Sequence, residues 1–169
     1  MTTSPLSAPP QLSPAGAEHP SAEHDVQALD PDVLAALHRA RDAGEAAAGW
    51  VRALGGRQSN EHHGLVLERA AEAIERASHQ EVVPGGNGEL AEELRYSLAA
   101  DVLLGAAHTA TLPELTPGER IPLVAVCALA AAMPACVIGA PARELTLLAD
   151  ELGAATAAGH AATAAANSG

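Results

Sequence analysis

The chain has 169 residues, with 21 acidic side chains against nine basic ones, all of them Arg, for a formal charge of -12. That length suits one domain with a real core, and arginines scattered among so many acids exclude the clustered basic patch a nucleic-acid binder sets against phosphate. With no Phe, one Tyr and one Trp, the core must be built from Leu, Val and Ala; alanine buries little area, so helices must approach closely and self-association becomes a natural supplement.

The opening MTTSPLSAPPQLSPAGAEHPSAEH has neither a cationic start nor a continuous apolar run, so it does not read as a secretory signal and a cytoplasmic location is expected. Its Pro, Ser and Ala content predicts a disordered leader over residues 1–29. His19 and His24, in a short AEH repeat, read as exposed decoration of that leader. Order is expected to begin at Asp30-Pro31-Asp32, which supplies an N-cap, a proline at the first helical position and an acid near the positive helix end. The first helix should stop at about Leu54, where Gly55-Gly56 favours left-handed or unwound backbone. Val33, Leu37, Ala40, Gly44, Ala47, Val51 and Leu54 share one face of it, with His38, Asp42, Glu45 and Arg52 roughly opposite.

Ser59 or Asn60 can cap a second helix that reaches about Gln80. Its wheel places Glu61, Glu68, Glu72, Glu75 and His79 on a solvated side, with a favourable four-residue spacing from Glu72 to Arg76. The opposite side is apolar except for His63. After the turn-rich VVPGGNG, Asn87 can cap a third helix from Glu89 to about His108, apolar nearly all round from Leu98 and therefore expected to be central. Residues 121–142 carry no charge and match a membrane span in length, but Pro122, Pro134 and Pro141 interrupt them and eight are Ala. A buried helical segment is expected there, ended or kinked by Pro134, and no membrane partner. A last helix from about Ala142 should fray beyond about His160, leaving 161–169 as a tail. Cys127 and Cys136 are too few for a disulfide framework and lack zinc-site spacing, so both read as buried thiols.

The fold expected from these elements is all-α, an antiparallel bundle of four or five helices over residues 30–160 behind the leader. The sharpest candidate site follows from pairing helices two and three antiparallel. His63 then approaches the His108 end, and Asp101 lies two turns before His108 on the same stripe. A carboxylate with two imidazoles could hold a transition metal such as zinc or iron, or act as acid and base; a buried Asp–His bond that fixes register has the same pattern.

RDAGEAAAGWVRALGGRQ (41–58) is similar to the EEAGE helix of the MazG-like nucleotide pyrophosphatases, and AEELRYSLAADVL (91–103) resembles that family's second acidic motif. The resemblance implies a Mg- or Mn-dependent all-α hydrolase, or a degenerate relative, with Asp42, Glu45 and Glu93 as the matching acids. The second motif's aspartate falls on Tyr96, and an earlier acid falls on Arg41. Because no catalytic constellation is complete, the leading expectation is a non-enzymatic protein-interaction or oligomerisation module needing no cofactor, whose partner is another protein or a second copy.

Overall fold

The computed structural model describes residues 30–79, 88–136 and 142–169. The expected leader, Asn87 and Pro141 lie outside them. Five helices pack together: α1 (Pro31–Gly56), α2 (Glu61–Ser78), α3 (Gly88–Thr109), α4 (Pro117–Cys136) and α5 (Ala142–Asn167). The chain is all-α, as its periodicities imply.

The helix starts follow from local chemistry. Asp30 Oδ1 accepts from the Asp32 amide at 2.9 Å, with Pro31 in the first turn. Asn60 rather than Ser59 caps α2, its Oδ1 accepting from the His62 amide at 2.9 Å. At α4 the stretch Thr116-Pro117-Gly118-Glu119 forms a reciprocal capping box. The Glu119 amide donates to Thr116 Oγ1 at 3.3 Å while Glu119 Oε2 accepts from the Thr116 amide at 3.0 Å.

Gly55 and Gly56 do not unwind α1 but remain inside it. Their use at this point is closeness. A Cβ on Gly55 would lie 3.3 Å from the Gly64 carbonyl oxygen, so α1 and α2 cross where neither has a side chain. The same rule operates lower down, where Gly44 makes room for Ser78, and between α2 and α3, where a Cβ on Gly105 would lie 3.3 Å from that of Ala70. Helices poor in large side chains gain packing by shortening the distance between axes.

Consecutive helices run antiparallel, and five being odd, α1 and α5 are parallel neighbours that close the ring. Three pairs mark their common direction: Arg39 Nε to Asp150 Oδ1 at 2.9 Å, Trp50 Nε1 to Thr163 Oγ1 at 3.2 Å, and Arg57 Nη1 to Asn167 Oδ1 at 3.1 Å. The expectation that α3 is central is corrected: α4 touches every other helix, whereas α3 touches α2 and α4 alone. Leu123, Val126, Cys127, Ala130 and Met133 of α4 sit in the core with Trp50, Leu54, Leu67, Ile74 and Leu152. The reason is charge. After Arg120, α4 has none on any face, while α3 carries acids, among which Glu92, Glu93 and Asp101 are exposed and are held toward water.

Two further expectations change. Pro134 does not end α4, which continues two residues to Cys136, because a missing N–H so near the end costs a single bond. The tail beyond His160 is helical to Asn167 rather than frayed. Alanine is the best helix former, and small residues here let α5 lie on α1: Gly159 faces the Trp50 ring so closely that a Cβ would come within 2.4 Å of Cζ2. Trp50 is 1% exposed. Among the described residues no helix is long and apolar enough to cross a membrane.

Candidate functional site

The α2–α3 pairing brings Asp101 and His108 into one groove, lined also by Arg69, Glu72, Arg76 and Gly105, with a cavity volume of about 260 Å³. Asp101 is not buried. It lies 3.7 Å from Arg76 Nη2 and is half exposed, and His108 is exposed. Antiparallel pairing carries His63 past this groove to the α3–α4 loop, where its Nδ1 is 3.9 Å from Glu114 Oε1 and has no hydrogen-bond partner. Glu114 is engaged by Ser59, accepting from its hydroxyl at 2.7 Å and its amide at 2.9 Å; the hydroxyl first and the amide second hold the carboxyl below its ordinary range. The candidate set is therefore divided, with Asp101 and His108 in the groove and His63 at the loop. Among the described residues no three His, Cys, Asp or Glu side chains stand close enough together to hold a metal ion.

The acids implied by the pyrophosphatase resemblance are also apart. Asp42 and Glu45 are exposed on α1, Glu93 is exposed on α3, and the two helices do not touch. Glu45 pairs across to α2 instead, 3.0 Å from His79 Nε2. A Mg²⁺ ion held by protein carboxylates needs them converging on an octahedron about 2 Å in radius, and these two helices offer no shared edge for one.

The acid row of α2, expected to face water, is partly an inter-helix seam. Arg52 of α1 reaches between two of its members, Nε to Glu68 Oε1 at 2.9 Å and Nη2 to Glu75 Oε2 at 2.5 Å. The hydrogen bond from Arg52 holds the Glu75 carboxyl below its usual range. Among the described residues one acid is fully buried: Glu119, where burial pushes its carboxyl up but is outweighed by bonds from the Thr116 amide and hydroxyl and the Arg57 guanidinium, so the net shift is downward. With every oxygen engaged, Glu119 joins the ends of α1, α4 and α5 and has no spare capacity for chemistry. Cys127 is equally inert; burial pushes its thiol up to about 12.

What sequence reasoning missed lies on the far side of α3. Tyr96 is 70% exposed and Leu103 53%, and on α4 Ile121 is 74% and Val124 43% exposed. Ala100 and Ala107 continue the first stripe, Ala128 and Ala132 the second, all exposed. The α2 groove marks one edge of α3 with Asp101 and Gly105, and helical spacing puts Tyr96, Ala100, Leu103 and Ala107 on the other edge. On α4, Gly118 beside Ala162 marks the α5 edge, and Arg120, donating to the Leu112 carbonyl at 2.8 Å, marks the α3 edge. Ile121, Val124, Ala128 and Ala132 fall between the outside and that α3 edge. The two stripes thus adjoin as one uncharged face. The signal in the sequence was an α3 apolar on more sides than its contacts with two neighbours can cover.

Comparison with family models, with curated proteins and with solved structures finds no match for this chain.

Proposed function

We propose that this chain is a non-enzymatic protein-interaction module whose docking surface is the outer face of α3 and α4. The carrying observation is that, among the described residues, the most open large apolar side chains, Tyr96 and Ile121, stand on adjacent helices within an uncharged face on a chain of net -12. Isolated exposed leucines need no explanation, but a contiguous apolar patch approaching several hundred Å² marks an interaction site. The groove and the acid pairs supply the contrast: their polar groups meet one another within the fold, whereas this face meets none of the other described helices.

A photo-crosslinking residue at Leu103 or Ile121, introduced into the full chain in its cell of origin, tests the reading. Covalent adducts are expected from both positions and not from Ala154, an exposed residue of α5. Absence of any adduct from the two face positions would remove the proposal.

A further inference from the structure

We infer that the occupant of the α3–α4 face is a second copy of this chain, paired across a twofold axis that lies in the face and runs perpendicular to the helices; this rests on the interaction reading above. Size order along the two stripes carries it. In chain order α3 presents Tyr96, Ala100, Leu103 and Ala107, and α4 presents Ile121, Val124, Ala128 and Ala132, every one exposed. An axis of this kind lays α3 antiparallel on the partner's α3 and α4 antiparallel on the partner's α4, so each stripe meets itself reversed.

Centred between Ala100 and Leu103, the reversal sets Tyr96 against the partner's Ala107 and Leu103 against the partner's Ala100. Centred between Val124 and Ala128, it sets Ile121 against the partner's Ala132 and Val124 against the partner's Ala128. Every large side chain meets a small one on both helices, which is the alternation that lets facing layers interdigitate. One axis must serve both stripes, so the two centres must lie at one height. At 1.5 Å rise per residue the α3 centre is about 11 Å from Thr109 and the α4 centre about 14 Å from Pro117, the two ends of the same hairpin. They agree to within about two residues.

Charge permits the same arrangement. Two chains of net -12 repel everywhere except where neither presents an ion, and the α3–α4 face is such a place. The acids at the start of α3, Glu89, Glu92 and Glu93, border the face, and Glu92 and Glu93 fall opposite the uncharged Thr111 and Ala110 of the partner's hairpin. The eight side chains offer on the order of 600 Å² per copy, near the roughly 800 Å² of a standard interface.

Sedimentation equilibrium of the full chain is expected to give twice the chain's mass. Ala100→Glu and Leu103→Arg, each on the exposed face, should each give a folded monomer by circular dichroism. Mixed in equal amounts they should associate at least tenfold more tightly than either alone, because the Glu of one then faces the Arg of the other across the axis. Ala128→Glu with Val124→Arg repeats the test on α4 should the α3 variants fold poorly. A monomeric wild type, a dimer indifferent to all four substitutions, or folded variants that fail to pair in either mixture would each overturn the assignment. The crosslinking experiment separates the two failures. An adduct to a different protein at Leu103 removes the second copy and keeps the interaction module, while no adduct at all removes both.

Discussion

α3 and α5 begin as similar material, Ala- and Leu-rich helices with little amphipathic pattern flanking the same central α4, yet they end in different states. α5 is seated along one face: Leu145, Ala149, Leu152, Thr156 and Gly159 are buried, its last turns hold Trp50 and Arg57, and of its leucines Leu147 stands open. α3 buries Leu98, Val102 and Thr109 and leaves Leu94, Tyr96, Leu103 and Leu104 open. The difference is in what faces them. α5 meets the chain's single Trp with a glycine and a threonine of matching shape, whereas α3 meets α2 along a groove of polar side chains. Apolar content therefore does not decide whether a helix is interior; complementarity with a neighbour does.

The strongest way to break the comparison is at Trp50. Trp50→Ala should cost about 3–5 kcal/mol, the range for deleting a fully buried aromatic, and thermal unfolding should show the last turns of α5 losing helix first. If α5 stays folded to Asn167, the seal is not at this ring. Gly159→Val, which forces a side chain into the same space, should cost about 1–3 kcal/mol by overpacking, measured as a lower urea midpoint at unchanged slope.

A second test falls on the end where α1, α4 and α5 meet. Glu119→Gln keeps the volume but loses the ionic partner of Arg57, and should cost about 1–3 kcal/mol near neutral pH. Since the folded carboxyl titrates below its unfolded value of about 4.3, its contribution is fully present above that value and is lost as pH falls through the lower folded one. The wild type should therefore weaken in that acid window, and the Gln variant should show a flatter profile across it. An identical profile would show that Glu119 carries no such linkage.

The smallest effects sharpen the contrast. Gly153→Ala, in α5 with open space around it, should gain about 0.5–1 kcal/mol by helix propensity, opposite in sign to substitution at Gly159. Leu104→Ser on the outside of α3 should change stability of the single chain by less than about 0.5 kcal/mol. A large loss there would mean α3 is as firmly seated as α5.

Much of the fold was legible. Asp30-Pro31 and Asn60 announced two helix starts, because a cap side chain and a fixed proline act on their own neighbours and need no tertiary help. The antiparallel α2–α3 pairing on which the candidate site was premised is present, with Gly105 against Ala70 and Arg76 beside Asp101. Less of the site could be read: Asp101 and His108 share a groove as expected, but His63 slides past them to Glu114, and a shift along the helix axis leaves no trace in periodicity. The acid row of α2 looked solvated because Arg52, which penetrates it, lies across a helix boundary in sequence.

By itself the sequence determined that the chain is helical, where most helices begin, and that Ala and Gly would bring their axes close, since propensity, capping and side-chain size are local properties. Only the tertiary structure decided that α4 and not α3 takes the centre, that the alanine-rich end of α5 is held by Trp50, and that α3 and α4 turn an uncharged face outward. Those outcomes depend on which surfaces meet, and the free energy of meeting belongs to pairs of helices rather than to any one of them.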